Sequence, residues 1–268
     1  MRDIGIIVGY GHDYSFDKPQ NSQENIVRAL KKKGYNAIKV DEQWPRDSYV
    51  QFNDNYVFRG EAGINGNIFG EGGNVQRGKD YILVSDNAYC FNDIKRESDI
   101  KNHEEFEKTV KRLGKKEHNS KIYVAPTGID FSKEKVEFSK MGHGHIDMFT
   151  LLLPESKILF YDTHFGKGAN QNKIYNEIAK NEGLEFIEFN GSKNGVWYPL
   201  NAAVLSGKDS ECVLLDSKAR SLIEELVKRG IDVIPVEMPQ NSNPAGKLNC
   251  QTNTFYLKDE KKILSLFD

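Results

Sequence analysis

Cys250 stands in the run AGKLNCQTN, directly after the turn-rich segment NSNPAGK. A thiol at the start of a strand and beside such a loop can be reached by a substrate, and its thiolate is a strong nucleophile. The other two cysteines lack that setting. Cys212 is enclosed in the apolar run ECVLLD and Cys90 lies in AYCFND, and both read as packed residues. His145 and Asp147 lie in GHGHIDMF. Read as the opening of a strand, this run points both side chains to one face. A carboxylate two residues from the imidazole argues against a plain core face, because a buried carboxylate needs a partner. Two more runs carry carboxylates. EGGN, with Glu71 and Asn74 at its ends, has a glycine pair that lets backbone approach a ligand closely. WPRDSYV contains Trp44 and Asp47. Taken alone, the first is equally an ordinary turn and the second a loop with an internal ion pair.

The histidines admit a second chemistry. His143, His145 and Asp147, at i, i+2 and i+4, resemble the HxHxDH ligand run of metallo-β-lactamase-like hydrolases. Met148 stands where that run has its next histidine, and His164 is the one clear further ligand candidate. A metal-dependent hydrolase is therefore the alternative of another class.

The elements that must position these residues recur as strand, strand, helix, strand. One unit runs through NAAVLSG, ECVLLD, the helix SKARSLIEELVKRG and IDVIPVEM, with Leu222, Ile223 and Leu226 on one helix face and Gly230 at its end. A second runs through HIDMFTLLLP, KILFYD, a helix near Gln171 to Asn181 and LEFIEFN. A third runs through EGGNVQ, YILVSD, a helix near His103 to Leu113 and KIYVAP. A fourth closes through both termini, from NCQTNTFYL and KKILSLF to IGIIVG, the helix SQENIVRALKKKG and NAIKV. A shorter fifth, RDSYVQF and NYVFRG, lacks a helix. Five units in a ring predict an α/β propeller. The first strand of each opens on a polar residue that would face a common centre: Asp47, Glu71 or Asn74, His145 with Asp147, Asn201, and Cys250.

Composition limits the alternatives. With 268 residues and 38% hydrophobic residues, the chain can bury a sizeable core, and a single domain over 1–268 is the economical organisation. A net charge of -2 and a pI near 6.3 leave no electrostatic footprint for nucleic acid. No apolar run approaches the ~20 residues of a membrane span. The N-terminal run has no signal-peptide pattern, and three widely spaced cysteines form no disulfide framework and fit a reducing cytoplasm. A homo-oligomer is compatible with the sequence.

In order, WPRDSYV, FGEGGNV, GHGHIDMF and KLNCQTN resemble the four signatures of the guanidino-group-modifying, or pentein, superfamily. The likeness spans residues from about 44 to 254. It is nearest to the agmatine deiminase and bacterial peptidylarginine deiminase group, whose runs are W-x-R-D, E-G-G, G-H-x-D and a late H-C-x-T. The resemblance implies a five-fold pseudosymmetric α/β propeller. It implies that Cys250 is the nucleophile and His145 the general acid–base, and that Glu71 supports the histidine. Asp47 and Asp147 would grip the guanidinium, and Trp44 and Asn74 would line the substrate site. It implies a small cationic guanidino substrate and no cofactor. Two departures matter. Asn249 precedes the cysteine where the deiminases usually have histidine, and the chain length is nearer that of dimethylarginine hydrolases. A dimethylarginine-type hydrolase and an amidinotransferase thus stay beside the deiminase as readings of the same site.

Overall fold

The computed structural model describes residues 3–10, 22–52, 55–58, 72–86, 104, 107–112, 121–127, 145–166, 170–194, 196–206, 211–238 and 248–268. The chain divides into two compact units. Residues 1–51 and 191–268 form the first, and residues 52–190 the second.

The first unit contains two three-stranded sheets. In one, the strand Ile4–Val8 lies between Thr252–Tyr256, antiparallel, and Asn36–Lys39, parallel. The unit predicted to close through both termini therefore forms. In the other, Glu211–Asp216 lies between Ala203–Ser206 and Asp232–Val236, again with one antiparallel and one parallel neighbour. The helix Ser22–Lys32 joins them. Its Ile26, Val27 and Leu30 are buried on one face. They share a core with Ile6 and Val8 of one sheet and Leu205, Leu214 and Ile234 of the other. Asn25 Nδ2 donates to the Glu237 carbonyl at 2.8 Å, fixing the helix beside the second sheet.

The second unit repeats the plan. Tyr81–Ser85 is flanked by Val75–Arg77 and Lys121–Ala125, and Ile158–Asp162 by Thr150–Leu153 and Glu185–Phe189. The helix Gln171–Asn181 packs on both of these sheets. Its Tyr175 hydroxyl and Gln171 Nε2 reach the Pro126 carbonyl, at 3.0 and 3.2 Å. A two-stranded sheet, Tyr49–Phe52 with Asn55–Phe58, lies where the chain leaves the first unit for the second. Its two strands are those expected of the shorter fifth unit, RDSYVQF and NYVFRG. The described residues thus give an α/β fold of five small sheets, none closed on itself. No helix among them is long and apolar enough to cross a membrane.

One expectation is corrected throughout. The polar residues were expected to open the first strand of each unit, but they lie in the turn ahead of it. Pro45–Asp47, Gly72–Asn74 and Ile146–Met148 are single 3-10 turns. Cys250 lies in a turn before Thr252, and Asn201 precedes Ala203. The strand-face argument for His145 and Asp147 therefore fails, because a strand's period of two does not apply within a 3-10 turn. Side chains explain the difference. Thr150 Oγ1 donates to the Ile146 carbonyl at 2.6 Å, and Thr252 Oγ1 donates to the Leu248 carbonyl at 2.8 Å. Each threonine satisfies a turn carbonyl that a ladder would otherwise claim. KKILSLF ends the chain as the short helix Glu260–Leu264 and the residues after it.

Candidate active site

In the first unit, Cys250 is partly exposed, whereas Cys212 is buried, and neither forms a disulfide. The turn bearing Cys250 is fixed from several sides. The Gly9 amide donates to the Gln251 carbonyl at 2.8 Å. Ser22 Oγ, from the helix Ser22–Lys32, bonds Gln251 Oε1 at 3.1 Å. Two residues further on, Asn253 Nδ2 donates to the Pro45 carbonyl at 3.1 Å and the Tyr49 carbonyl at 2.9 Å. One buried amide thereby ties the Trp44–Asp47 run to the strand that follows Cys250. Within the run, the Asp47 amide donates to the Trp44 carbonyl at 2.9 Å, and Trp44 and Asp47 are half-buried. Asn201 lies against the thiol, its Nδ2 3.7 Å and its Oδ1 3.9 Å from Sγ.

In the second unit, the segments Gly72–Asn74 and His145–Met148 meet. A Cβ added to Gly73 would lie 2.4 Å from His145 Nδ1 and 2.8 Å from its Cγ. The imidazole therefore rests on the backbone of the Gly72–Asn74 turn, where only glycine leaves room. Gln76 Nε2 donates to the Thr150 carbonyl at 2.8 Å and joins the same two segments one step further along. Asp147 is 1% exposed and His145 is half-buried. Asn74 is fully buried, and neither polar atom of its amide has a hydrogen-bond partner among the described residues. Behind the histidine turn, Tyr161 pairs with Thr150 across the sheet. Burial, and then the Asp162 carboxylate, push the Tyr161 hydroxyl up to about 12. Burial raises Tyr175 as well. Both remain protonated donors, Tyr161 to the Gly166 carbonyl at 3.0 Å and Tyr175 to the Pro126 carbonyl.

The structure thus groups Trp44, Asp47, Asn201 and Cys250 within one unit, and Asn74, His145 and Asp147 within the other. Glu71 lies outside the described residues, as does His143 and with it the alternative ligand set His143, His145 and Asp147. Among the described residues, no three His, Cys, Asp or Glu side chains gather where they could hold a metal ion. Two residues went unassigned in the sequence reading. Asn201 was expected only to face a common centre with the other strand-opening polar residues, with no role of its own. Asn253 had no signal beyond the alternation of TNTFY, where an inward amide looks like any other polar strand position.

No family model matches the chain, and no curated protein matches its sequence. Solved structures do match. The dimethylarginine dimethylaminohydrolase of Pseudomonas aeruginosa, a cysteine-to-serine mutant complexed with citrulline, is 12% identical with a TM-score of 0.58. The match covers 95% of this chain and 100% of that one. The agmatine deiminase of Enterococcus faecalis is 12% identical with a TM-score of 0.59, covering 93% and 92%. The inosamine-phosphate amidinotransferase of Streptomyces griseus is 12% identical with a TM-score of 0.55, covering 94% and 93%. The likeness is one of fold, and the fold is that of the pentein, guanidino-group-modifying enzymes.

Proposed function

We propose that this chain cleaves the guanidinium group of an agmatine- or arginine-like substrate, with Cys250 as nucleophile and His145 as acid–base. The observation that carries the reading is the placement of the motif residues. Asp47, Asn74, His145 with Asp147, Asn201 and Cys250 each belong to the turn or segment ahead of the first strand of a different small sheet. Guanidino-modifying enzymes of three kinds share the fold across more than nine-tenths of the chain. One of them was captured with citrulline when a cysteine was replaced by serine.

Asp47 and Asp147 hold the planar guanidinium by charge-assisted hydrogen bonds and orient its carbon toward Sγ. The Cys250 thiolate attacks that carbon and forms a C–S bond. His145 gives a proton to a terminal nitrogen, the C–N bond breaks, and ammonia leaves an amidino thioether. Neutral His145 then takes a proton from water, which attacks the same carbon. The C–S bond breaks, releasing a ureido product and the thiolate. Glu71 orients the imidazole from its other nitrogen. An amine in place of water would make the same site an amidinotransferase, a reading the Streptomyces griseus match keeps in view.

The test is a panel of arginine, agmatine, methylated arginines and arginyl peptides, scored for ammonia and ureido product, with amine acceptors added in parallel. Turnover of a guanidino compound that survives exhaustive chelation is expected. Turnover lost to EDTA and restored by zinc would favour the metal-dependent hydrolase instead.

A further inference from the structure

The Gly72–Asn74 turn and the strand Val75–Arg77 pack against the Ile146–Met148 turn and the strand Thr150–Leu153. Three buried polar atoms of this seam have no hydrogen-bond partner among the described residues: Asn74 Nδ2, Asn74 Oδ1 and Gln76 Oε1. Asn74 is 0% exposed and Gln76 9%. The polar side chains that bond across the seam are already engaged. Gln76 Nε2 donates to the Thr150 carbonyl at 2.8 Å, and Thr150 Oγ1 donates to the Ile146 carbonyl at 2.6 Å. An amide with both ends unmet is costly in an interior, and native interiors leave few such groups without protein or ordered water. Three such atoms on residues two apart point to a ligand that the chain itself does not supply. The atom types name it. One donor and two acceptors need a molecule that accepts and donates at once. A metal cation would take the two oxygens and leave the N–H unmet, and an anion would do the reverse. Water does both, and a buried water typically makes about three hydrogen bonds.

We infer that this seam is an internal hydration site, where ordered water accepts from Asn74 Nδ2 and donates to Asn74 Oδ1 and Gln76 Oε1. The site gives Asn74 a role different from the substrate lining that the sequence resemblance implies. Its amide is closed off from the surface. The water holds the end of the turn on which the His145 imidazole rests, without itself meeting a substrate.

The experiment observes the Asn74 side-chain amide of the ¹⁵N-labelled protein by water-selective NOE and ROE spectroscopy. A cross-peak to water is expected, of opposite sign in the two spectra, as for water that stays bound while the protein tumbles. No cross-peak, or equal signs, overturns the inference. A hydroxyl exchanging with solvent could imitate the signal, so the spectra are repeated on Thr150→Val. The cross-peak should survive there, and its loss overturns the inference. Saturating agmatine should also leave it in place, whereas its disappearance would make Asn74 a substrate contact and overturn the separate site. A second measurement counts long-lived waters by ¹⁷O relaxation dispersion. Asn74→Leu, which replaces the amide with apolar atoms, should hold at least one fewer than the wild type, and an unchanged count in the folded variant overturns the inference. Should that variant fail to fold, the wild-type spectra decide. None of these measurements needs turnover, so the hydration site and the proposed function stand or fall separately.

Discussion

In the cysteine-bearing unit, the turn ahead of Thr252–Tyr256 is held by polar groups from distant parts of the chain. Gly9 and Ser22 engage Gln251, Asn253 engages Pro45 and Tyr49, and Asn201 lies on the sulfur. In the histidine-bearing unit, the turn ahead of Thr150–Leu153 rests on a steric fit between the imidazole and Gly73, with the Asn74 amide buried beside it and without a hydrogen-bond partner among the described residues. The difference matches what each group must do. A small thiol has one rotatable bond and no shape to be gripped by, so its backbone has to be placed, and directional hydrogen bonds do that. An imidazole is a flat plate that backbone can support directly, and a glycine pair supplies the flat surface. The two turns thus share a place ahead of a strand but not a means of support.

The largest effect expected is on the thiol. Cys250→Ser should reduce turnover by roughly a thousandfold or more, because the same histidine cannot ionise a hydroxyl as it does a thiol. Cys212→Ser and Cys90→Ser should leave the rate essentially unchanged. Ammonia release on the substrate found by the panel measures all three, and full activity in Cys250→Ser would remove the cysteine-bearing unit from the chemistry. The carboxylates come next. Asp47→Asn and Asp147→Asn should each lower kcat/KM by a factor of roughly a hundred, corresponding to about 3 kcal/mol for breaking a buried charged pair. Asp147, almost fully enclosed, should suffer more than the half-buried Asp47. Wild-type kcat/KM in both variants would refute the guanidinium clamp even with the cysteine confirmed.

The two kinds of support can be separated by a pair of alanines. A Cβ on Gly73 meets the imidazole at 2.4 Å, so Gly73→Ala must displace the group proposed to transfer protons. A Cβ on Gly9 meets the Glu42 carbonyl oxygen at 2.4 Å, Pro45 Cδ at 2.5 Å and the Gln43 carbonyl oxygen at 2.9 Å. These are mostly backbone atoms, which yield at greater cost. Gly73→Ala is therefore expected to lower kcat by about ten- to a hundredfold while melting near the wild type. Gly9→Ala should cost about 2–3 kcal/mol of stability, as overpacking does. Kinetics and urea unfolding on the same two proteins check this, and equal stability losses would erase the distinction between the units.

The apolar runs carried the fold in the sequence. The strands Ile158–Asp162 and Glu211–Asp216 are buried throughout and stand where KILFYD and ECVLLD predict them. Gly230 follows the helix Arg220–Lys228, as expected. The turns were not legible. HIDMFT alternates like a strand, and nothing local says that Thr150 will bond back to Ile146 rather than let the ladder continue. The resemblance named Cys250, His145, Asp47 and Asp147, whereas composition and spacing alone left each of them ambiguous. Asn201 was legible only through the repeat, as one of the polar residues expected to face a common centre with Cys250, whereas Asn253 bonds carbonyls more than 200 positions away, a contact that leaves no trace in a window of neighbouring residues.

The smallest effect should fall on the feature the two units share. Thr150 and Thr252 each open a strand and each donate a hydroxyl to the carbonyl four residues back, at 2.6 and 2.8 Å. Both are 0–2% exposed, so water cannot replace the bond once it is removed. Valine keeps the volume and the strand preference and deletes only the hydroxyl. Each Thr→Val change should therefore cost about 1 kcal/mol, the net worth of one buried hydrogen bond, plus some penalty for the carbonyl left behind. The two sites are in separate units and share no hydrogen-bond partner among the described residues, so the double variant should lose the sum of the two. Urea midpoints of the three proteins measure this. If Thr252→Val proved silent while Thr150→Val did not, the polar network around Gln251 and Asn253 would be holding the cysteine turn without its threonine. The two units would then differ even in the one device they have in common.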